Sequence, residues 1–134
     1  MSGVFLDTNV LLYVLSADAH KANIAEAILA KGATISVQVL NEAASVCIRK
    51  LKMSWPEVHE LLNGIKACCE VLPLTLSIHE QALVLAERFQ LSIYDALVCA
   101  AAQEAHAHTL LTEDMHEGLV LGKLKLVNPF LNPA

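Results

Sequence analysis

The run Val4-Phe5-Leu6-Asp7-Thr8-Asn9-Val10 decides how this chain reads. Residues 3–6 form a short apolar stretch with strand character that stops at an acid. From residue 9 to residue 15 the sequence continues apolar without a breaker, which starts a helix. A strand that ends in a carboxylate and leads straight into a helix is the opening unit of an α/β domain. In such domains the ligand crevice lies beyond the carboxyl ends of the strands.

Working outward, residues 19–31 carry Ala22, Ala25, Ile28 and Leu29 at helical spacing, and Gly32 stops that helix. Residues 33–37 read as a second strand, and residues 38–51 as a helix with Val39, Ala43, Val46 and Cys47 on one face. Ser54 and Glu57 have the spacing of a capping box, with Pro56 in the first turn of a helix that runs to about Cys69. Residues 70–74 make a short strand carrying Pro73. Ser77 and Glu80 repeat the capping-box spacing ahead of the stripe Ile78, Ala82, Leu85 and Phe89. Ser92 opens a further helix, with Asp95 three residues on, and residues 96–102 are apolar all round, which buries it. Residues 109–111 and 124–127 are the last strands. Alternating strands and helices predict a mostly parallel sheet of four or five strands between helices, a three-layer α/β/α domain. No linker, repeat or low-complexity run divides the 134 residues, so a single domain over residues 1–134 is expected.

Composition narrows the function. Hydrophobic residues make up 55% of the chain and the mean hydropathy is +0.50. The longest apolar stretch, residues 96–102, is nevertheless far short of the roughly 20 residues a spanning helix needs. The acid at position 7 also interrupts any leader-like opening, so a cytoplasmic protein without a membrane partner is expected. The net charge of −5 argues against a broadly basic nucleic-acid binder but not against an enzyme whose ligands are acids. Arg49, Lys50 and Lys52 are the one tight basic cluster; they either meet phosphates or simply cap a helix end, where cations suit the dipole. The four cysteines, Cys47, Cys68, Cys69 and Cys99, form no C-x-x-C pair and read as reduced structural thiols. His106 and His108, like the other histidines, read as surface or helix-end residues. Tyr94 has two roles open to it, core packing or stacking on a base.

Four acids stand out: Asp7 after the first strand, Glu42 one helical turn beyond Gln38, Asp95 in the first turn of a buried helix, and Asp114 after the 109–111 strand. Each has a plain structural role when taken alone. Asp7 and Asp114 suit turns, Glu42 a solvated helix face, and Asp95 a capping box with Ser92. Taken together they describe an acidic cleft. Gathered carboxylates raise one another's pKa, and a hard cation such as Mg²⁺, which prefers oxygen ligands and keeps several waters, removes that repulsion.

The order and surroundings of these acids resemble the PIN domains. Residues 4–10 are similar to the opening motif of that family, an apolar strand ending in Asp followed by Thr or Ser and then Asn or Ser. Ser36-Val37-Gln38-Val39-Leu40-Asn41-Glu42 resembles the second motif. Leu91-Ser92-Ile93-Tyr94-Asp95-Ala96-Leu97-Val98 resembles the third, and Leu110-Leu111-Thr112-Glu113-Asp114-Met115 the last. The likeness spans nearly the whole chain and is greatest to the toxin half of VapBC-type toxin–antitoxin pairs. The resemblance implies a metal-dependent endoribonuclease. Asp7, Glu42, Asp95 and Asp114 would be the catalytic acids that bind Mg²⁺ or Mn²⁺, and Thr8, Asn9 and Thr112 would be supporting polar residues. The implied partners are an RNA substrate, a cognate antitoxin protein and a second copy of the chain in a homodimer. Glu113 and Glu117 stand close enough in sequence to share or replace the role of Asp114.

Two rivals remain. A strand ending in Asp7 is also how haloacid-dehalogenase-like phosphatases present their nucleophile, but that family expects a second aspartate two residues on, where this chain has Asn9. The other is a PIN fold that binds RNA or protein without cutting.

Overall fold

The computed structural model describes residues 3–131. Strand β1 (Val4–Leu6) leads through Asp7 into helix α1 (Thr8–Leu12) and a 3₁₀ turn (Tyr13–Leu15). Helix α2 (Ala19–Lys31) follows, then β2 (Ala33–Ser36), α3 (Val37–Arg49), α4 (Trp55–Cys68), β3 (Cys69–Leu72), α5 (Leu76–Phe89), α6 (Ile93–Glu104), β4 (Thr109–Leu111), β5 (Val120–Leu121) and β6 (Leu124–Val127). The helix expected from residue 9 is therefore two pieces: one α-helical turn that tightens into a 3₁₀ turn.

The sheet order is β3-β2-β1-β4-β6-β5. All pairs are parallel except β5 with β6. The sheet is thus mostly parallel, as the alternation of elements requires, but it has six strands rather than four or five. The extra strand is the two-residue Val120–Leu121, which turns back on β6 through Gly122 (φ 64°). A pair that short carries no readable periodicity. From β1 the chain winds outward to β2 and β3, then returns past β1 to β4. With right-handed crossovers, α1 to α4 cover one face and α5 and α6 the other; helix contacts fall within each group except where α3 meets α6. The strand order reverses between β1 and β4, so the switch point lies at the ends of Leu6 and Leu111, which are register partners.

Caps define the ends. Ser54 and Glu57 form a complete capping box, the Ser54 N–H donating to Glu57 Oε1 at 2.8 Å and the Glu57 N–H to Ser54 Oγ at 3.3 Å. The second box, expected from Ser77 and Glu80, does not exist. Thr75 caps α5 instead, its hydroxyl oxygen accepting from the Ile78 N–H at 3.1 Å. The helix starts earlier because Thr75 takes the extended cap conformation directly after the strand exit at Pro73 and Leu74, while Ile78 anchors the first turn in the core. Helix α6 is buried from Ala96 to Ala102, as its apolar run requires.

The core joins Phe5, Ile35, Leu110 and Leu126 of the sheet to Val39, Ala43, Ala82, Val98 and Ala102 of the helices. Cys47 and Cys99 are buried thiols, whereas Cys68 is exposed, and all four cysteines are free. One buried side chain lacks a partner among the described residues, the Thr34 hydroxyl of β2, opposite Phe5. An unpaired buried hydroxyl costs about 1–3 kcal/mol of desolvation. Thr34→Val keeps the shape and removes that cost, so urea unfolding is expected to show a gain of about 1 kcal/mol. A lower midpoint for the variant would mean that the hydroxyl has a partner.

Candidate metal centre

Asp7 sits where β1 becomes α1, and it holds the switch point together. Its N–H donates to the Leu111 carbonyl at 3.0 Å, joining β1 to the end of β4. Its Oδ1 accepts from the Thr8 N–H at 2.7 Å, which makes Asp7 the N-cap of α1. Its Oδ2 accepts from the Thr112 hydroxyl at 2.8 Å and from Asn9 Nδ2 at 3.3 Å. Asp7 is only 4% exposed, and Thr8 and Thr112 are buried with it.

Glu42 reaches the same place from α3. Its Oε1 accepts from the Thr8 hydroxyl and its Oε2 from Gln38 Nε2, each at 3.0 Å. Gln38 is therefore a supporting residue that the sequence reading passed over, although its position four residues before Glu42 was the signal. Asp95 lies in the first turn of α6, where its N–H donates to the Ser92 hydroxyl at 3.1 Å. That capping contact leaves its carboxylate at the cleft.

Asp7, Glu42, Asp95 and Asp114 all line one cleft of about 420 Å³, together with Thr8, Asn9, Leu12, Ser45, Val46 and Lys50. Glu42, Ser45, Val46 and Lys50 are spaced along one face of α3 and its C-cap. Lys50 is the single cation in that lining, and among the described residues it makes no ion pair. A second cleft of about 390 Å³, lined by His106, His108 and Lys123, opens elsewhere and contains no carboxylate. Tyr94 is 61% exposed beside Asp95, which excludes core packing for it.

Neither neighbour shares the position of Asp114. The Glu113 carboxylate accepts from Lys21 Nζ at 2.7 Å and from the Tyr13 hydroxyl. The Glu117 carboxylate accepts from the Asn128 N–H. In the segment from 112 to 115, Thr112 and Met115 are buried, and Asp114 faces the cleft.

The acids affect one another. Burial pushes the Asp7 carboxyl up from 3.8 to about 6; the charges of Asp95 and Glu42 add to the rise, while the bonds from Thr112 and Thr8 oppose it. Asp95 is also raised, first by burial and then by the charges of Glu42 and Asp114. Cys99 lies below them, its thiol pushed up to about 12 by burial and by Asp7 and Asp95. It donates to Met115 Sδ at 3.7 Å and stays protonated, so it is no ligand. Among the described residues no three His, Cys, Asp or Glu side chains close into a ready-made metal cage. The four acids instead line one cleft of about 420 Å³. Their oxygen donors are of the kind that Mg²⁺ and Mn²⁺ take, and no histidine or cysteine joins them in that lining.

These features define a class: a small doubly wound α/β domain with an oxygen-lined acidic cleft at its topological switch point. The chain belongs to the PIN-domain family, whose sequence model matches residues 4–116. No curated protein matches it in sequence. Its fold is similar to that of a toxin–antitoxin complex from Klebsiella pneumoniae, with TM-score 0.68 and 20% identity over 94% of this chain and 97% of that one. It is similar as well to VapC20 of Mycobacterium tuberculosis, a sarcin–ricin-loop-cleaving toxin, with TM-score 0.68 and 19% identity over 83% and 89%. The VapBC2 complex of Rickettsia felis, bound to a DNA fragment from its promoter, gives TM-score 0.66 and 22% identity over 92% and 96%.

Proposed function

We propose that the chain is a metal-dependent endoribonuclease and the toxin of a toxin–antitoxin pair. The observation that carries this is the convergence of Asp7, Glu42, Asp95 and Asp114 on one cleft at the switch point. In this reading the four acids hold Mg²⁺ or Mn²⁺, and the cation, once bound, lowers the pKa of a water and neutralises charge on the phosphodiester. The chain's own residues do the rest. Thr8 and Gln38 fix both oxygens of Glu42. Thr112 and Asn9 fix Asp7. Lys50, unpaired at the rim, meets a substrate phosphate as a point charge, and exposed Tyr94 offers a face to a base.

Surface features agree with protein partners. An apolar groove of about 460 Å³ between α2 and α4 is lined by Leu29, Leu61 and Ile65 and flanked by Glu26 and Glu60. It suits an antitoxin helix with basic flanks. Leu76, Leu83 and Val84 of α5 are each at least half exposed, and a second copy in a homodimer would cover them. No helix among the described residues is long and apolar enough to cross a membrane.

The test is incubation of the purified, partner-free chain with total cellular RNA and Mn²⁺ or Mg²⁺, beside the same reaction with chelator and beside Lys50→Gln. Discrete products that vanish with chelator are expected. Lys50→Gln should raise KM about fivefold and flatten the salt dependence by a little under one phosphate contact. Mn²⁺ binding without cleavage of any RNA would move the reading to a PIN fold that binds without cutting. Cleavage that survives chelation would overturn the metal assignment.

A further inference from the structure

The only ion pair among the described residues is neither in the core nor in the cleft. It joins Lys21 of α2 to Glu113, the residue before Asp114, at 2.7 Å. Four other contacts converge on it. The Tyr13 hydroxyl donates to the second Glu113 oxygen, and Lys21 Nζ also donates to that hydroxyl at 3.2 Å. The Lys21 ammonium lies 4.7 Å from the centre of the Tyr13 ring and 5.3 Å from that of Phe130. The two rings meet edge to face at 4.7 Å. The Glu113 N–H donates to Asn9 Oδ1 at 3.2 Å, and the same Asn9 amide donates to Asp7.

We propose that Lys21, Glu113 and Tyr13 form a positioning clamp that holds the loop after β4 so that Asp114 faces the acidic cleft. The proposal rests on the metal reading of that cleft. Two physical arguments carry it. The first concerns stability. Lys21 and Glu113 are 30% and 24% exposed, and ion pairs in such settings add little to folding. Four polar and aromatic contacts gathered on one such pair hold a place in space rather than the whole fold. The second concerns charge. Glu113 adjoins Asp114, so a free Glu113 carboxylate would add a fifth negative charge at the cleft mouth. Lys21 draws it away from the cleft and neutralises it. The loop is then fixed from three sides: by Thr112 on Asp7, by Met115 on Cys99, and by Glu113 on the clamp. Asp114 is left as the carboxylate of this loop that lines the cleft.

The experiment compares the full chain with Lys21→Met, Glu113→Ala and Lys21→Arg. It reads amide hydrogen exchange in residues 112–117 without metal, Mn²⁺ affinity by calorimetry, and melting temperature. Lys21→Met and Glu113→Ala should exchange faster in that loop alone and bind Mn²⁺ roughly tenfold more weakly, the low end of the loss seen when residues supporting metal ligands are removed. Their melting temperatures should move by no more than roughly 3 °C. Lys21→Arg keeps the pair and should behave as the parent chain. Unchanged loop exchange in Lys21→Met overturns the clamp. So does a loosened loop with unaltered Mn²⁺ affinity, and so does faster exchange spread over the whole fold. If the parent chain takes up no Mn²⁺, the metal reading fails separately, and loop exchange alone decides whether the clamp exists.

Discussion

Asp7→Asn and Asp95→Asn are each expected to abolish RNA cleavage while the fold stays intact. Both residues line the cleft, and each loses a full negative charge without changing shape. Charge stabilisation by a bound cation supplies several kcal/mol to the transition state, and losing about 4 kcal/mol lowers the rate roughly 10³-fold. The fold survives because the structural duties of these residues pass to the amide. Asn is as good an N-cap as Asp, so position 7 still accepts from the Thr8 N–H, and Ser92 caps α6 through its own hydroxyl. Asp114→Asn should do less damage, since Asp114 is exposed and accepts no hydrogen bond from a fixed donor among the described residues. The measurement is single-turnover cleavage alongside circular dichroism. Cleavage at the parent rate by either Asp7→Asn or Asp95→Asn would mean that the chemistry lies elsewhere.

Much of this arrangement could be read before the structure. The acids Asp7 and Asp114 follow apolar strands, and a parallel sheet sends such residues to its functional edge. Buried α6 was legible from its unbroken apolar run, and Gly32 from its place after a helical stripe. Three things were not. The strand Val120–Leu121 is too short to show a period, and its pairing is set by the turn at Gly122. The cap of α5 depended on backbone conformation at Thr75, which spacing does not report. The roles of Glu113 and Asp114 could not be separated in sequence, because what distinguishes them is Lys21, 92 residues away. Lys50 was visible as part of a basic cluster. Only its place on the same face of α3 as Glu42 brings it into the cleft.

The second large effect is a reversal in stability between the parent chain and Asp7→Asn when metal is added. Without metal, the Asp7 carboxyl titrates at about 6 in the fold against 3.8 for an ordinary aspartate. The native state therefore holds this proton more tightly than the unfolded chain does. The stabilisation is fully present below about pH 3.8 and is lost as the pH rises through 6. A shift of that size corresponds to about 3 kcal/mol at pH 7.5. Glu57 and Glu113 act in the opposite sense. Hydrogen bonds with Ser54 lower Glu57; burial raises Glu113, but bonds from Lys21 and Tyr13 and the Lys21 charge outweigh it. The difference between parent and variant isolates Asp7 from these groups. Asp7→Asn removes the cost of burying the charge but brings an amide donor towards Asn9 Nδ2, so a gain of about 2 kcal/mol at pH 7.5 is expected, shrinking to nothing near pH 4. Mn²⁺ reverses the order. At a hundred times its dissociation constant it stabilises the parent by about 2.7 kcal/mol, which raises the melting temperature of a chain this size by roughly 8–10 °C. The variant, lacking the most buried of the four carboxylates, should gain little. Melting curves at pH 4.5 and 7.5, with and without Mn²⁺, measure all of this. A parent and variant that melt alike in every condition would show that Asp7 neither carries a buried charge nor holds a cation, and the acidic cleft would then have only a structural role.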